Sequence, residues 1–224
     1  MADVGGRMVS GAPKVWESLD SCAVSDALDR FGHSGVVSGI VSLGGDARIV
    51  GRAVTVELGP VEEMTSSQHL GTAAIEAATA GDVIVVAHRG RTDCAGWGGN
   101  LSRAALRKGL AGAVVDGACR DIAEAAALGF PVFCRAPTPR TARGRVCELS
   151  YQRPVVIGDV VVHPGDLVVA DGCGVVFVRQ DWEASVTKAA AEIISKEAAM
   201  SAAIDSGAPV SEVMGADYER MTMT

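Results

Sequence analysis

The chain has 224 residues, a formal net charge of −7, 48% hydrophobic and 21% charged residues, and only four Phe, three Trp and two Tyr. That is enough for one generous domain whose core is built from Ala, Val, Leu and Ile, and a single domain over residues 1–224 is expected. The negative charge argues against a nucleic-acid partner, whose phosphates call for clustered Lys and Arg. No stretch reaches the roughly 20 apolar residues that would span a bilayer.

Residues Met1 to Gly11 lack the apolar centre of a signal peptide. Cys22, Cys94, Cys119, Cys134, Cys147 and Cys173 are scattered with no Cys-x-x-Cys pair, and read as reduced, mostly buried thiols of a cytoplasmic protein. His33, His69, His88 and His163 show no ligand spacing, so zinc is not expected.

From Val15 to Phe31 apolar residues recur at helical spacing and stop at Gly32. Arg48 to Leu58 alternates and is β-branched, a strand. Ser66 to Ala80 reads as an Ala-rich helix closed by Gly81, and Asp82 to Ala87 as a buried strand. A Gly98-Gly99 turn, a helix to Lys108, a strand at Ala113 to Val115, a helix from Asp121 to Leu128 and a strand at Val132 to Cys134 follow. This alternation predicts βαβ units and a parallel layer. Arg145 to Arg179 instead carries Val-rich strands between Gly158-Asp159 and Pro164-Gly165-Asp166 turns, an antiparallel portion. Asp181 to Ser206 is a long Ala-rich helix ended by Gly207, with a tail suited to packing on a neighbouring subunit.

Two turns carry the chemistry. Gly98 and Gly99 would allow positive φ and close approach of a ligand, and the helix behind them offers unpaired amides to an anion. Arg120 presents a planar fork suited to a carboxylate and sits at a helix start, where a cation opposes the macrodipole. Asp121 has two readings. It is an N-cap with Glu124 three residues on, a capping box, or it is the single carboxylate by which a largely hydrated Mg²⁺ is held. Arg91 and Asp93, expected in a loop before the glycines, are weaker candidates, and the basic run Arg135 to Arg145 reads as a solvated loop. No nucleophile elbow, phosphate loop or isolated Schiff-base lysine is present, which leaves metal-assisted chemistry on an anion.

Gly98-Gly99-Asn100-Leu101 with Arg120-Asp121 nineteen residues beyond Leu101, inside Asp116-Gly-x-x-Arg-Asp, resembles the signature of the family that holds regulator of ribonuclease activity A and the 4-hydroxy-4-methyl-2-oxoglutarate / 4-carboxy-4-hydroxy-2-oxoadipate aldolases. Asp26-Ala-Leu-Asp, Gly51-Arg-Ala-Val-Thr-Val, Gly81-Asp-Val-Ile-Val-Val, Gly129-Phe-Pro-Val-Phe and Pro164-Gly-Asp support the match. The resemblance implies a compact α/β fold of the β/β/α swivelling type, with a mixed, partly parallel sheet and a long C-terminal helix. It also implies a homotrimer or homohexamer with sites at subunit interfaces. It further implies a class II pyruvate aldolase, dependent on Mg²⁺ or Mn²⁺, that cleaves a 4-hydroxy-2-oxo acid and decarboxylates oxaloacetate. In that reading Gly98, Gly99, Asn100 and Leu101 bind the substrate carboxylate, chiefly through the amides of Asn100 and Leu101. Arg120 binds substrate and Asp121 holds the metal. Some aldolases of the family have an acid where this chain has Gly99, so another carboxylate, Glu197 of a second subunit, would contribute to proton transfer. The alternative is a non-catalytic protein that docks on a ribonuclease.

Overall fold

The computed structural model describes residues 13–63 and 68–215. Met1 to Gly11, the first two residues of the helix expected from Ser66, and the end of the tail lie outside the described residues. In chain order a 3₁₀ turn at Lys14–Ser18 leads to α1 (Ser21–Arg30), β1 (Val36–Val37), β2 (Val41–Ser42), β3 (Ile49–Pro60) and α2 (Thr72–Ala77). Then come β4 (Val83–Trp97), α3 (Gly99–Lys108), β5 (Gly112–Cys119), α4 (Ile122–Ala127) and β6 (Val132–Pro137). β7 (Val146–Tyr151), β8 (Val155–Ile157), β9 (Val160–Val162), β10 (Leu167–Asp171) and β11 (Gly174–Val178) precede α5 (Glu183–Asp205) and α6 (Val210–Val213).

The sheet runs β1-β11-β10-β3-β4-β5-β6-β2, with β7 also on β3 and β8-β9 as a separate hairpin. Neighbours from β3 to β6 are parallel, and the pairs β10-β3, β10-β11, β1-β11, β2-β6 and β3-β7 are antiparallel. The expected mixed α/β sheet is therefore present. Period-two alternation divides its residues between cores. Val54, Val56, Ile84, Val86, Ala113 and Val115 face α2, α3 and α4. Their alternates Ala53, Val83, Val85 and Val114 meet Val168, Val175 and Phe177 of the antiparallel strands and the apolar side of β8-β9. The other face of the antiparallel strands, Val169, Val176 and Val178, is covered by α1 and α5. Helices thus cover both outer faces of a doubled sheet. Each fully buried Val or Leu in these cores contributes about 1.5–3 kcal/mol.

Three boundaries differ from the pattern reading. The first helix starts at Ser21 because Asp20 caps it, accepting from Ala23 N at 2.8 Å, and Val15 to Ser18 forms only a 3₁₀ turn. The second expected helix is confined to Thr72–Ala77, because Gly71 enters it at φ 77° and Ala78 is extended. The expected loop after Ala87 is strand: β4 continues to Trp97, and register shifts against β5 bend the pair without ending it. Arg91 and Asp93 consequently stand on β4, paired with each other at 2.9 Å. The long C-terminal helix is α5, which buries Val186, Ala189, Ala190 and Ile193 in its first half only. Among the described residues no helix is long and apolar enough to cross a membrane.

Candidate functional site

The carboxyl ends of the parallel strands β4 and β5 converge on the starts of α3 and α4. Arg120 N donates to Trp97 O at 3.0 Å, and Thr138 N donates to Cys119 O at 2.8 Å, so both turns and the loop after β6 share one ladder. Buried Trp97 donates from Nε1 to Ser102 Oγ at 2.9 Å, and Ser102 N donates to Gly98 O at 3.0 Å, which locks the first turn of α3 to the end of β4. A cavity of about 180 Å³ opens there, bordered by Gly98, Gly99, Asn100, Leu101, Arg120 and Asp121. His69, Leu70 and the segment Thr141-Ala142-Arg143 complete its rim.

Gly98 and Gly99 serve close approach rather than positive φ. Gly98 is extended at φ −160°, and neither glycine is among the residues of positive φ. A Cβ on Gly98 would lie 3.0 Å from Arg120 Cγ and 3.1 Å from Asp121 Oδ2, so a side chain there would push the two turns apart. Gly98 offers α3 no side-chain cap. Gly99 N donates to Asp121 Oδ2 at 3.1 Å. The next two amides, of Asn100 and Leu101, belong to the first turn, where a helix supplies no acceptor of its own, and both residues border the cavity.

Of the two readings of Asp121, the structure removes the N-cap. The residue stands at the head of α4 at φ 58° and ψ 34° and makes no side-chain cap. In that left-handed conformation, costly for a residue with a Cβ though tolerated by Asp, the carboxylate turns away from α4 towards α3. Glu124 does not complete a capping box either, since its Oε1 accepts from Arg103 Nη2 at 2.8 Å. Arg120 Nε donates to Asp121 Oδ2 at 3.1 Å and Oδ1 at 3.3 Å. No partner among the described residues is found for the other guanidinium N–H groups of Arg120, a residue that borders the cavity.

A single carboxylate presented to an open, polar cavity suits a cation that keeps most of its water, such as Mg²⁺ or Mn²⁺. No group of three or more His, Cys, Asp or Glu side chains converges among the described residues. Of the expected residues, Glu197 does not border this cavity within one chain. It lies on α5 near Asp26 and Asp20, and burial followed by repulsion from those carboxylates pushes its own carboxyl up from the usual value.

Other motif residues are structural. Buried Asp116 pairs with Arg135 and accepts from Gly158 N at 2.9 Å, pinning the β8-β9 turn to β5. Glu148 accepts from Gly71 N at 2.6 Å and so holds the turn that carries His69, and burial pushes its carboxyl up. The pattern reading missed His69, Thr141 and Arg143. The only signal for the last was the basic run from Arg135 to Arg145, which folds back over the cavity through Ala95 N donating to Arg140 O at 3.0 Å.

Fold and cavity together define an α/β protein with a polar cavity at the carboxyl edge of a parallel sheet, and comparison with known proteins gives its family. The chain belongs to the Aldolase/RraA family, RraA-like, whose profile matches residues 21–177. It is 33% identical over 175 residues to a protein of Halalkalibacterium halodurans provisionally named 4-hydroxy-4-methyl-2-oxoglutarate aldolase, covering 78% of this chain and 80% of that one. It is 32% identical over 203 residues to protein DlpA of Legionella pneumophila, covering 89% of this chain but only 33% of DlpA. The chain thus spans about a third of the length of that relative. Streptomyces coelicolor RraAS2, described as an unusual member of the RNase ES inhibitor RraA protein family, superposes with a TM-score of 0.73 at 32% identity, covering 82% of this chain and 92% of that one.

Proposed function

We propose that the protein is a divalent-metal-dependent carbon–carbon lyase that cleaves a 4-hydroxy-2-oxo acid bearing a further carboxylate into pyruvate and a second oxo acid. The observation that carries this reading is the convergence of Arg120, Asp121 and the first-turn amides of α3 on one cavity. In it the amides of Asn100 and Leu101 bind the 1-carboxylate, and Arg120 donates to the 2-keto oxygen. As the C3–C4 bond breaks, its electron pair moves into the enolate, and the fixed guanidinium stabilises the charge that collects on that oxygen. Asp121 would hold the cation, which supplies Lewis-acid polarisation of the keto group when bound. Loss of carbon dioxide from oxaloacetate yields the same enolate, so decarboxylation accompanies the main activity. Arg143 on the rim binds the distal carboxylate.

In the trimer or pair of trimers that we expect, Glu197 of a second subunit approaches this cavity. The test is pyruvate release from 4-hydroxy-4-methyl-2-oxoglutarate, 4-carboxy-4-hydroxy-2-oxoadipate and oxaloacetate with Mg²⁺, Mn²⁺ or a chelator. Chelator-sensitive turnover that disappears in Asp121→Ala, with the oligomer intact, is the expected result. Turnover indifferent to both would overturn the reading.

The likeness to RraAS2 favours a second reading, a protein that docks on a ribonuclease. It predicts a stoichiometric complex formed without metal and unaffected by Asp121→Ala.

A further inference from the structure

The start of α3 receives a second carboxylate. A Cβ placed on Gly99 would run into Glu124 Oε2, would lie 2.7 Å from Glu124 Cδ and 3.2 Å from Asp121 Cβ. Residues 99 and 124 therefore compete for one small volume beside Asp121, and in this chain Glu124 holds it. The arrangement is tethered. Arg103, one turn along α3, takes Glu124 Oε1 at 2.8 Å, and Oε2 is left against Gly99.

Consequently two carboxylates from the head of α4, three residues apart and on one face, meet the same helix start. Asp121 is engaged by Gly99 N and Arg120. Among the described residues Glu124 is engaged by Arg103 and is partly exposed, with its side chain 42% accessible; it does not itself border the cavity, but its Oε2 stands against Gly99, which does. The charged partner of Glu124 among the described residues is Arg103 on α3, and Asp121, paired with Arg120, stands on the other side of Gly99.

We propose that Glu124 is the proton-handling carboxylate of the site, delivered from α4 into the place a side chain on residue 99 would otherwise fill. The inference rests on the lyase reading above. Glu124 accepts the proton of the 4-hydroxyl as the C3–C4 bond breaks and the second carbonyl forms. It returns that proton to C3 of the pyruvate enolate, so no co-reactant is needed and the carboxylate is regenerated. Arg103 keeps the side chain against Gly99 between the two transfers.

The test compares wild type, Glu124→Gln, Glu124→Ala, Glu197→Gln and the exchange variant Gly99→Asp combined with Glu124→Ala. Pyruvate release is followed across pH with Mg²⁺, and pyruvate binding is followed by calorimetry. In Glu124→Gln, kcat is expected to fall by about 100-fold or more, the usual reach of general acid–base catalysis. The acid limb of its pH profile disappears, while pyruvate still binds and the melting temperature holds. The exchange variant, which returns a carboxylate to the same place from the other helix, recovers a substantial part of the kcat lost in Glu124→Ala. An active wild type with an unaffected Glu124→Gln overturns this assignment alone. So does an exchange variant no faster than Glu124→Ala, or a collapse seen only in Glu197→Gln. A wild type silent on all three oxo acids overturns the lyase reading, and this assignment with it.

Discussion

Arg120 and Asp121 are consecutive, and their side chains pair with each other on one cavity. The left-handed conformation of Asp121 swings its carboxylate onto Gly99 N, and Arg120 Nε follows it. Geometry rather than charge alone is therefore at stake in Arg120→Lys. The ammonium keeps the charge but loses the planar fork, so kcat is expected to fall by about 100-fold, the scale of losing an oriented donor to a developing oxyanion, with the melting curve unchanged. Steady-state kinetics beside thermal denaturation checks this, and an insoluble variant would mark Arg120 as structural. Arg143 makes a different prediction because it stands on the rim. Arg143→Ala is expected to raise KM about tenfold or more for a substrate with a distal carboxylate, the scale of one charge-assisted hydrogen bond. A 4-hydroxy-2-oxo acid lacking that carboxylate should be unaffected. The Asp121 capping box was legible in the sequence and misleading, because Asp at a helix start followed by Glu looks the same whether the carboxylate turns back to its own helix or across to another.

At the scale of elements, the site depends on two strands that remain paired after they bend. β4 and β5 keep contact through Arg91↔Gly117, Ala95↔Ala118 and Trp97↔Cys119, with a register shift between each pair. Gly117 makes the bend possible, since a Cβ there would lie 2.5 Å from His88 Cδ2 and 2.7 Å from Arg91 O. Gly117→Ala is therefore expected to cost about 1–3 kcal/mol or more through overpacking against backbone. It should also lower activity, because Cys119 and Arg120 are carried on the displaced strand. Chemical denaturation with activity measured on the residual folded protein checks both halves, and an unchanged midpoint would show that β4 yields freely. The apolar half of this pairing, Asp82 to Ala87 beside Ala113 to Val115, was evident as runs of buried residues. Its polar half was not, because Arg89, Gly90, Arg91 and Asp93 resemble loop chemistry and become strand only when β5 supplies partners.

At the scale of the molecule, the doubled sheet encloses one buried imidazole. His88 is 1% exposed, and burial holds its pKa below the usual 6.5, although its hydrogen bond to Cys94 O opposes that shift. In the unfolded chain it takes up a proton near pH 6.5, whereas in the folded chain it does so only at lower pH. Between those values the unfolded state binds more protons, so stability declines as pH falls below about 6.5. Burial acts on Asp166 in the opposite sense by pushing its carboxyl up, so that group favours the folded state just above the ordinary carboxylate range. Urea midpoints measured from about pH 7 to about pH 5.5 should fall in wild type. The slope should flatten in His88→Gln, and an equal slope in both would exclude His88 as its source.

The amino-acid sequence by itself determined the class of fold, the order of the main helices and strands though not the short β1, β2 and α6, the antiparallel portion after Arg145, and the two turns of the candidate site. Those features are encoded locally, in the period of apolar residues, in glycine and proline at turns, and in a signature spread over Gly98 to Asp121. Only the tertiary structure decided that Gly98 and Gly99 work by letting helices touch, that Asp121 faces α3, that Arg143 joins the rim and that Glu124 fills the space above Gly99. Each of these is a relation between segments far apart in the chain or across a turn, fixed by packing and by which donor a carboxylate can reach, and no window of neighbouring residues contains that information.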